Sequence, residues 1–251
     1  MDASRLSAPP DAFGRAAQDY ELGRPDWPDE LVDKIGVPPD AEVLDLGAGT
    51  GKLTRLLVPR FARVVAVEPD DAMRTMLEGV VPEAESLRGS AEAIPLADDS
   101  VDAVFCGEAF HWFASRDVVA EIARVLRAGG VFAFLWTIEF DLEPAWPDEA
   151  ERLLDPAFTR GGAPGIRKVL SGEWREAFTG SRFGELAHAQ VETAYEHDRE
   201  QAIARILSVS SIASLPDAER EELRDALREI VPDVRYRSHV RTDAYWTTLA
   251  P

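Results

Sequence analysis

The chain of 251 residues is 45% hydrophobic and 29% charged, which suits one α/β domain with an added cap and a sizeable core. Its 27 basic and 46 acidic residues give a net charge of −19, which argues against nucleic acid and anionic membrane surfaces as partners. Because Cys106 is the single cysteine, an intrachain disulfide and a multi-cysteine metal site are both excluded. We find no apolar stretch typical of a signal peptide or a membrane span, and we therefore expect a cytoplasmic protein.

The N-terminal region divides into two parts by composition. Residues 1–12 are rich in Ala, Ser, Pro and Asp, and we predict that they are disordered. The string from Arg24 to Pro28 is extended and stiff, because it holds two prolines within four residues. The simplest interpretation of residues 13–28 is an arm that packs on the sheet of the domain. A helix is predicted over Asp29–Ile35, where Leu and Val side chains share one face.

A glycine-rich turn follows the first predicted strand. The strand covers Val43–Leu46, the turn covers Gly47–Gly51, and a helix is predicted from Lys52 onward. Such a turn brings backbone N–H groups close to a ligand. The dinucleotide fingerprint G-x-G-x-x-G would need its third glycine at position 52, where this chain has lysine. The observed pattern, Asp-x-Gly-x-Gly-x-Gly from Asp45, resembles motif I of the class I S-adenosylmethionine (SAM)-dependent methyltransferases.

This resemblance implies a fold and a cofactor. The fold is a Rossmann-like class I methyltransferase fold, with a mostly parallel seven-stranded sheet, helices on both faces and a small helical cap. The cofactor is SAM, with S-adenosylhomocysteine as its product. In the family, the amino acid end of SAM lies on the glycine turn. That position assigns cofactor contacts to Asp45, Gly47, Ala48, Gly49 and Gly51.

An acid ends the second predicted strand, Val64–Val67. Glu68 follows Gly51 by seventeen residues, about the spacing of the acid that accepts hydrogen bonds from ribose hydroxyls in nucleotide-binding folds. The alternative is an ordinary surface acid at a strand end. Pro69 and Met73 are further candidate cofactor contacts, although a methionine at helical spacing is more often a core residue. Asp70 is predicted to cap the next helix.

After a short third strand over residues 84–88, the segment Gly89–Leu96 resembles the Gly-Asp-Ala-Glu-x-Leu-Pro loop of the same family. In the family this loop reads the adenine of the cofactor. Ser90 stands where aspartate is usual, so the adenine amino contact passes to Ser90, to Glu92 or to water. We therefore predict cofactor contacts at Ser90, Ala91 and Glu92, with a solvated loop acid as the alternative for Glu92.

The fourth predicted strand, Val101–Cys106, leads into Gly107–Phe113, where ligands bind in open α/β sheets. This segment resembles the Gln-Ala-Phe-His-Trp-Phe string of the trans-aconitate methyltransferase-like branch. Glu108 stands in place of the glutamine, and it would add a negative charge near the cofactor sulfonium. In this branch the N-terminal segment closes over the cofactor, which implies further cofactor contacts at Tyr20 and Arg24.

His111 is the candidate catalytic residue, because an imidazole can accept a proton near neutral pH. Two alternatives stay open: His111 packs between Phe110 and Trp112, or it donates a hydrogen bond to an acceptor that needs no base. Phe110, His111, Trp112 and Trp136 are candidate substrate contacts, and aromatic core residues are the alternative for the three aromatic ones. His188, His197 and His239 lack metal-ligand spacing, so no metal site is expected.

The remaining elements complete the predicted domain. A helix starting at Asp117 ends at Leu126–Gly130, and a fifth strand covers Val131–Trp136. Residues 137–184 are interpreted as short helices and loops over the site. The later elements are a strand over Leu186–Tyr195, helices over Glu200–Val209 and Asp217–Ile230, and a strand over Arg235–Thr248. We predict one methyltransferase domain over 13–251, with its core at 30–136 and 185–251 and its cap at 137–184 and 198–234.

The expected function is transfer of a methyl group from SAM to a small-molecule acceptor at oxygen, through a carboxylate or a hydroxyl group. One alternative is a SAM-fold protein that uses bound SAM structurally or for a non-methylating reaction. An NAD(P)-dependent oxidoreductase is a second alternative, against which the glycine pattern argues. An acidic interaction module is a third, and it would leave the glycine turn without a purpose. We expect a monomer or a homodimer.

Overall fold

A computed structural model describes residues 16–160 and 165–251, so the predicted disorder of residues 1–12 lies outside the described residues. Seven strands of the described part form one sheet. They are β1 (Glu42–Leu46), β2 (Arg63–Val67), β3 (Glu85–Leu87), β4 (Val101–Gly107), β5 (Leu126–Glu143), β6 (Ala187–His197) and β7 (Tyr236–Thr248).

The strands follow the order β3-β2-β1-β4-β5-β7-β6, and the pairs β1–β2, β1–β4, β2–β3 and β4–β5 are parallel. This confirms the predicted Rossmann-like class I methyltransferase fold. The strand order reverses between β1 and β4, and open α/β sheets bind ligands at such a switch point.

Helices connect these strands. The first five are α1 (Ala17–Gly23), α2 (Asp29–Ile35), α3 (Lys52–Leu57), α4 (Asp71–Val80) and α5 (Phe110–Phe113). The others are α6 (Arg116–Val125), α7 (Asp148–Arg160), α8 (Gly165–Ser171), α9 (Arg199–Leu207), α10 (Ser210–Ala213) and α11 (Asp217–Ile230), with a 3₁₀ helix over Glu173–Phe178. Within the described ranges, every helix falls short of the length and apolar character that a membrane span needs.

Polar side chains fix where several helices begin. Asp70 accepts hydrogen bonds from the backbone N–H groups of Ala72 and Met73, which confirms the predicted cap of α4. Ser115 caps α6 in the same way, so this helix begins at Arg116, one residue before the predicted start.

The chain divides into two compact units. The larger unit comprises Asp26–Ile138, Lys168–Val191 and Arg241–Pro251, and the smaller unit comprises Met1–Pro25, Glu139–Arg167 and Glu192–Val240. In the larger unit, successive strand residues belong to different core clusters: Leu44 packs in one cluster, and Val43 and Phe105 in another. Both faces of these strands are therefore buried, which is why they read as continuous apolar runs.

The smaller unit holds α1 by buried charge. The carboxylate of Asp19 in α1 accepts hydrogen bonds from Arg220 at 2.9 Å and from Arg224 at 2.8 Å, both on α11. At Gly23 a Cβ atom would lie 2.1 Å from the backbone nitrogen of Arg205, so α1 and α9 pack backbone to backbone. The described part of the N-terminal segment in this unit is thus a packed helix.

The structure corrects the prediction for residues 137–184 at its start. β5 does not end at Trp136 but continues to Glu143, and it begins at Leu126 because Leu126 already pairs with Val101 of β4. Ile138, Phe140 and Leu142 alternate with acidic residues, which is the period of a strand. The short helices predicted for this range are found further on, at α7, α8 and the 3₁₀ helix.

Candidate functional site

The glycine turn after β1 has the backbone that its glycines permit. Gly47 and Gly49 have φ angles of 72° and 58°, in the left-handed region that disfavours other residues. A Cβ atom at Gly47 would lie 2.9 Å from Cβ of Ala109 and 3.7 Å from the ring of Phe113, so α5 and its flank lie against the turn. A Cβ atom at Gly49 would meet no atom within 4 Å. The side of the turn at Gly49 is therefore open to a ligand.

Hydrogen bonds tie this turn to the end of β2. The backbone N–H groups of Gly47 and Ala48 donate to the carbonyl oxygen of Val67 at 2.9 and 3.1 Å. The N–H of Gly49 donates to Oε2 of Glu68 at 2.8 Å. The carboxyl ends of β1 and β2 thus form one structure, because Leu46 and Val67 are also paired in the sheet.

Glu68 is 7% exposed, so it is not the surface acid of the alternative interpretation. Its Oε1 accepts from the N–H of Asp70 at 2.9 Å, while Oε2 accepts from Gly49. Burial raises the pKa of Glu68, and these two backbone hydrogen bonds oppose the rise. Each carboxylate oxygen has a second lone pair that can accept from a hydroxyl. The arrangement is suited to a ribose, and the ligand role of Glu68 remains a prediction.

Asp45 is fully buried beneath the turn. Its Oδ2 accepts a hydrogen bond from the hydroxyl of Thr54 at 2.6 Å, while Oδ1 has no hydrogen-bond partner among the described residues. Burial raises the pKa of Asp45 to about 7; the Thr54 hydrogen bond opposes the rise and the nearby charge of Glu68 adds to it. Asp45 therefore braces the start of α3 with a carboxyl that is partly protonated near neutral pH.

The predicted adenine contacts differ in exposure. Met73 and Ala91 are buried, whereas Glu92 is exposed. Ala91 packs in the core cluster that includes Val67, so its side chain supports the loop from below. The exposure of Glu92 fits the alternative of a solvated loop acid. Pro69, shortly after β2, is exposed, and Ser90, in the loop before Ala91, is half-buried.

Glu108 has an unusual backbone and a fixed carboxylate. Its φ angle is 54°, which is rare for a residue with a side chain. Its Oε1 accepts a hydrogen bond from the backbone N–H of Thr137 at 2.6 Å, and its own N–H donates to Leu135. Glu108 thus links the end of β4 to the middle of β5, and its place near the sulfonium remains a prediction.

A cavity of about 430 Å³ lies in the larger unit beside α5. His111 and Trp112, two of the predicted substrate contacts, line this cavity, and their contact with a substrate remains a prediction. Its other lining residues are Ala114, Ser115, Arg116, Lys168, Glu173, Trp174, Glu176 and Ala177. The ammonium of Lys168 lies 5.1 Å from the ring centroid of Trp112, and burial lowers the pKa of Lys168 while Glu173 raises it. The volume suits a small molecule.

Two of the predicted substrate contacts lie below this cavity instead of lining it. Phe110 is fully buried and packs 4.8 Å from Phe134 and 5.1 Å from Phe132, measured between ring centroids. Trp136 is 1% exposed. We therefore correct the prediction that Phe110 and Trp136 wall the substrate: they are the aromatic core of the alternative interpretation.

Trp136 nevertheless reaches the site through a hydrogen bond. Its indole Nε1 donates to Nδ1 of His111 at 2.9 Å. His111 is itself 8% exposed. The imidazole is therefore oriented by a buried side chain from β5.

The two N-terminal candidates belong to the smaller unit. The guanidinium of Arg24 lies 5.3 Å from the ring centroid of Tyr20, and its Nε donates to the hydroxyl of Ser208 at 3.0 Å. These contacts fix Arg24 against the end of α9. Their predicted role at the cofactor remains a prediction.

Two features escaped the sequence interpretation. Lys168 comes from the loosely patterned stretch after β5, where no motif pointed to it. The bond between Trp136 and His111 joins positions 25 residues apart. The signal available was topological: β4 and β5 are successive strands that pair in parallel, which brings the residues after β4 close to the middle of β5.

The described residues hold one group with the geometry to bind a metal. Ligand atoms of Asp141, Glu143 and His239 lie within 4.8 Å of one another, in the smaller unit. The two acids are exposed, which is common without any ion.

Known proteins resemble this chain in sequence and in fold. The methyltransferase domain family matches residues 44–134, a range that holds the glycine turn, Glu68 and α5. The chain is 35% identical over 221 residues to an uncharacterized methyltransferase of Schizosaccharomyces pombe, which covers 86% of this chain and 85% of that protein. Over 103 residues it is 45% identical to the malonyl-[acyl-carrier protein] O-methyltransferase of Methylococcus capsulatus, which covers 39% of this chain and 38% of that protein. A solved structure from Anaeromyxobacter dehalogenans, provisionally described as a type II methyltransferase, has a TM-score of 0.64 at 22% identity and covers 91% of this chain and 99% of that one.

Proposed function

This chain belongs to the class I SAM-dependent methyltransferases, and from that premise we propose that it methylates a small-molecule acceptor at an oxygen atom. The acceptor group is a carboxylate or a hydroxyl. The observation that carries the proposal is the hydrogen bond between the open glycine turn at Gly49 and the buried carboxylate of Glu68. This pairing presents backbone atoms and a fixed acid on one edge of the sheet.

The donors and acceptors at this edge suit SAM. Glu68 can accept from both ribose hydroxyls, and the open side of Gly49 leaves room for the amino acid end of the cofactor. When bound, SAM supplies a methyl group on a sulfonium, which is ready for in-line displacement by an acceptor atom. The residues of the larger unit proposed to contact it are Asp45, Gly47, Ala48, Gly49, Gly51, Glu68, Pro69, Met73, Ser90, Ala91, Glu92 and Glu108.

The chain itself would position the two reactants. α5 lies against the glycine turn through Phe113, with Ala109 directly before the helix, and the same helix carries His111 and Trp112. The cavity that they line is proposed to hold the acceptor. Catalysis of such a transfer consists mainly of holding two reactants in line, which is worth several orders of magnitude in rate.

Two observations favour oxygen as the target. One relative, similar over about two fifths of this chain, is named as an O-methyltransferase. Lys168 and Arg116 line the cavity and would attract an anionic acceptor such as a carboxylate. The acids Glu173 and Glu176 in the same lining would bind other polar groups of the acceptor.

The competing functions make different predictions. A protein that keeps SAM without methylation would bind it and release no S-adenosylhomocysteine. An NAD(P)-dependent oxidoreductase is disfavoured because position 52 is a lysine, which forms an ion pair with Asp26 at 3.6 Å.

The test is a panel of small carboxylic acids, phenols and alcohols incubated with SAM and the purified protein. We expect acceptor-dependent release of S-adenosylhomocysteine with at least one oxygen acceptor, and a methyl ester or ether as the second product. Transfer only to amines or to carbon would contradict the oxygen assignment. No turnover with any class would favour the non-methylating alternative.

A further inference from the structure

We infer that Trp136 holds His111 as the neutral tautomer with its proton on Nε2, so that His111 donates a hydrogen bond to the acceptor instead of taking a proton from it. The role toward the acceptor rests on the proposed function. The tautomer does not, because it follows from contacts within the larger unit.

The hydrogen bond between the two side chains fixes the direction of donation. An indole Nε1 carries a hydrogen and has no lone pair to accept with, so it can only donate. At 2.9 Å from Trp136 Nε1, Nδ1 of His111 must therefore be the acceptor and carry no hydrogen. A neutral imidazole has one hydrogen on its two nitrogens, which leaves it on Nε2.

The surroundings of Trp136 keep the indole in this position. Trp136 is 1% exposed and lies 5.2 Å from Phe134, 5.1 Å from Trp174 and 5.9 Å from Tyr245 between ring centroids. Rotating the indole away from His111 would disrupt this packing and leave a buried N–H without an acceptor, which is unfavourable. The orientation is therefore a property of the core and not of the ligand.

The tautomer limits what His111 can do. A general base needs a lone pair directed at the proton it removes, but Nδ1 is engaged by Trp136 and Nε2 already carries a hydrogen. Protonating the ring would place the Nδ1 hydrogen against the indole hydrogen. His111 thus donates its Nε2 hydrogen to the acceptor oxygen. That oxygen keeps another lone pair with which it can attack the methyl group. Trp136 is a positioning residue for this group.

The cavity lining holds both signs of charge, and its two cations can attract such an oxygen. Its lining holds the cations Arg116 and Lys168 beside His111, together with the acids Glu173 and Glu176. A carboxylate that is already ionised loses no proton on methylation, so it needs a donor and not a base. The proposed site can therefore methylate ionised oxygen acceptors without a general base.

The direct test is ¹⁵N NMR of the imidazole nitrogens in the wild-type protein saturated with S-adenosylhomocysteine. The His111→Gln variant identifies the His111 signals by their disappearance. We expect a pyridine-like shift for Nδ1 and a pyrrole-like shift for Nε2 at neutral pH. The reverse pattern, or two pyrrole-like nitrogens, would overturn the inference.

Two tryptophan variants test whether Trp136 fixes the tautomer of His111. Trp136→Phe keeps an aromatic ring but removes the donor, and it should allow the second tautomer or the cation to appear in the spectrum. Trp174→Phe is the matched control, since it removes another indole from the same cluster whose N–H donates to Val169. Unchanged His111 shifts in Trp136→Phe would assign the tautomer to some other contact.

Turnover of the best acceptor found in the panel distinguishes whether His111 acts as a hydrogen-bond donor or as a general base. Glutamine can donate but is not basic, so His111→Gln should keep kcat within about threefold, while His111→Leu should lose about tenfold or more. The ratio of parent to His111→Gln kcat should stay constant between about pH 6 and pH 8. A ratio that falls steeply toward acid would show a base. If no acceptor is turned over, the proposed function fails while the NMR result still decides the tautomer.

Discussion

The carboxylate of Glu68 adds side-chain hydrogen bonds to the backbone contacts that already join the ends of β1 and β2. It accepts from Gly49 in the turn after β1 and from Asp70 at the start of α4. The glycine motif together with the spacing pointed to this acid, because its distance from the turn is set by one helix and one strand. Its burial could not be read from the sequence, since it depends on how the turn folds over it.

We predict that Glu68→Ala weakens SAM binding by about tenfold to a hundredfold, because hydrogen bonds to a charged acceptor contribute about 1.5–3 kcal/mol. Calorimetric titration measures the affinity, and circular dichroism verifies that the variant is folded. Glu83→Ala removes an exposed loop acid and serves as the control. Equal affinity in a folded Glu68→Ala variant would remove Glu68 from the binding site.

Asp45 should make stability depend on pH. Unfolded Asp45 ionises near pH 4, while the folded residue keeps its proton up to about 7, so the folded state binds more protons between these values. The free energy of unfolding therefore falls as pH rises through this window, by up to about 1.4 kcal/mol per pH unit.

The Asp45→Asn variant should lose this dependence. Denaturant unfolding at about pH 5 and pH 7 should show a decline in the parent that exceeds the decline in the variant by about 1–3 kcal/mol. Asp40→Asn, at an exposed position, should decline as the parent does. Parallel declines in the parent and Asp45→Asn would contradict the raised pKa of Asp45.

The prediction of single residues succeeded where the signal was local. Asp70 was correctly identified as a helix cap, because a cap depends on the residues within three positions of it. Phe110 was wrongly predicted as a substrate contact, because a strand-end aromatic looks the same in a core and in a cavity. The hydrogen bond from Trp136 to His111 depends on two strands and was not predicted at all.

At the scale of elements, the apolar runs of the parallel strands were easy to identify. β1, β2 and β4 agree with prediction within one residue at each end, because burial on both faces gives a continuous pattern. The extension of β5 to Glu143 was missed since its outer half alternates apolar and acidic residues after a break in pattern at Thr137. The alternation was present in the sequence and was read as loop.

In the smaller unit, we predict that the ion pairs of Asp19 hold α1 against α11. Asp19→Asn removes the carboxylate that Arg220 and Arg224 share, and among the described residues each arginine keeps only one exposed acid, Asp217 or Glu221, at 3.3 Å. Breaking a buried ion pair typically costs about 3–5 kcal/mol, and these remaining contacts reduce the loss. Hydrogen exchange should therefore accelerate in α1 and α11 of the variant.

Glu200→Gln is the matched control, because it breaks an ion pair with Arg228 in which both side chains are largely exposed. Exposed pairs contribute at most about 1 kcal/mol, so this variant should exchange almost as the parent does. Equal behaviour of the two variants would show that the Asp19 cluster does not hold α1.

At the scale of the whole molecule, the net charge of −19 acts on ligand binding. SAM carries one net positive charge through its sulfonium, whereas S-adenosylhomocysteine is neutral overall. Added salt screens electrostatic interactions, and the Debye length is about 10 Å at 0.1 M. We therefore predict that added salt weakens binding of SAM more than binding of S-adenosylhomocysteine, as titrations of the same sample at low and high salt would measure. An equal effect on both would mean that the net charge is not felt at the site.

Sequence reasoning identified the family from one half of the chain and left the acceptor open. The motifs for SAM lie between residues 43 and 113, where backbone geometry dictates which residues fit. Lys168 and the rest of the cavity lining after β5 have no such constraint, because an acceptor pocket varies with its ligand. Identification of the acceptor therefore belongs to experiment.

The most direct test of the central claim is calorimetric titration of the purified protein with SAM, S-adenosylhomocysteine and NADH. The account predicts micromolar binding of the first two compounds and no binding of NADH. Binding of NADH alone, or no binding of SAM or its product, would contradict the claim that the glycine turn and Glu68 form a SAM site.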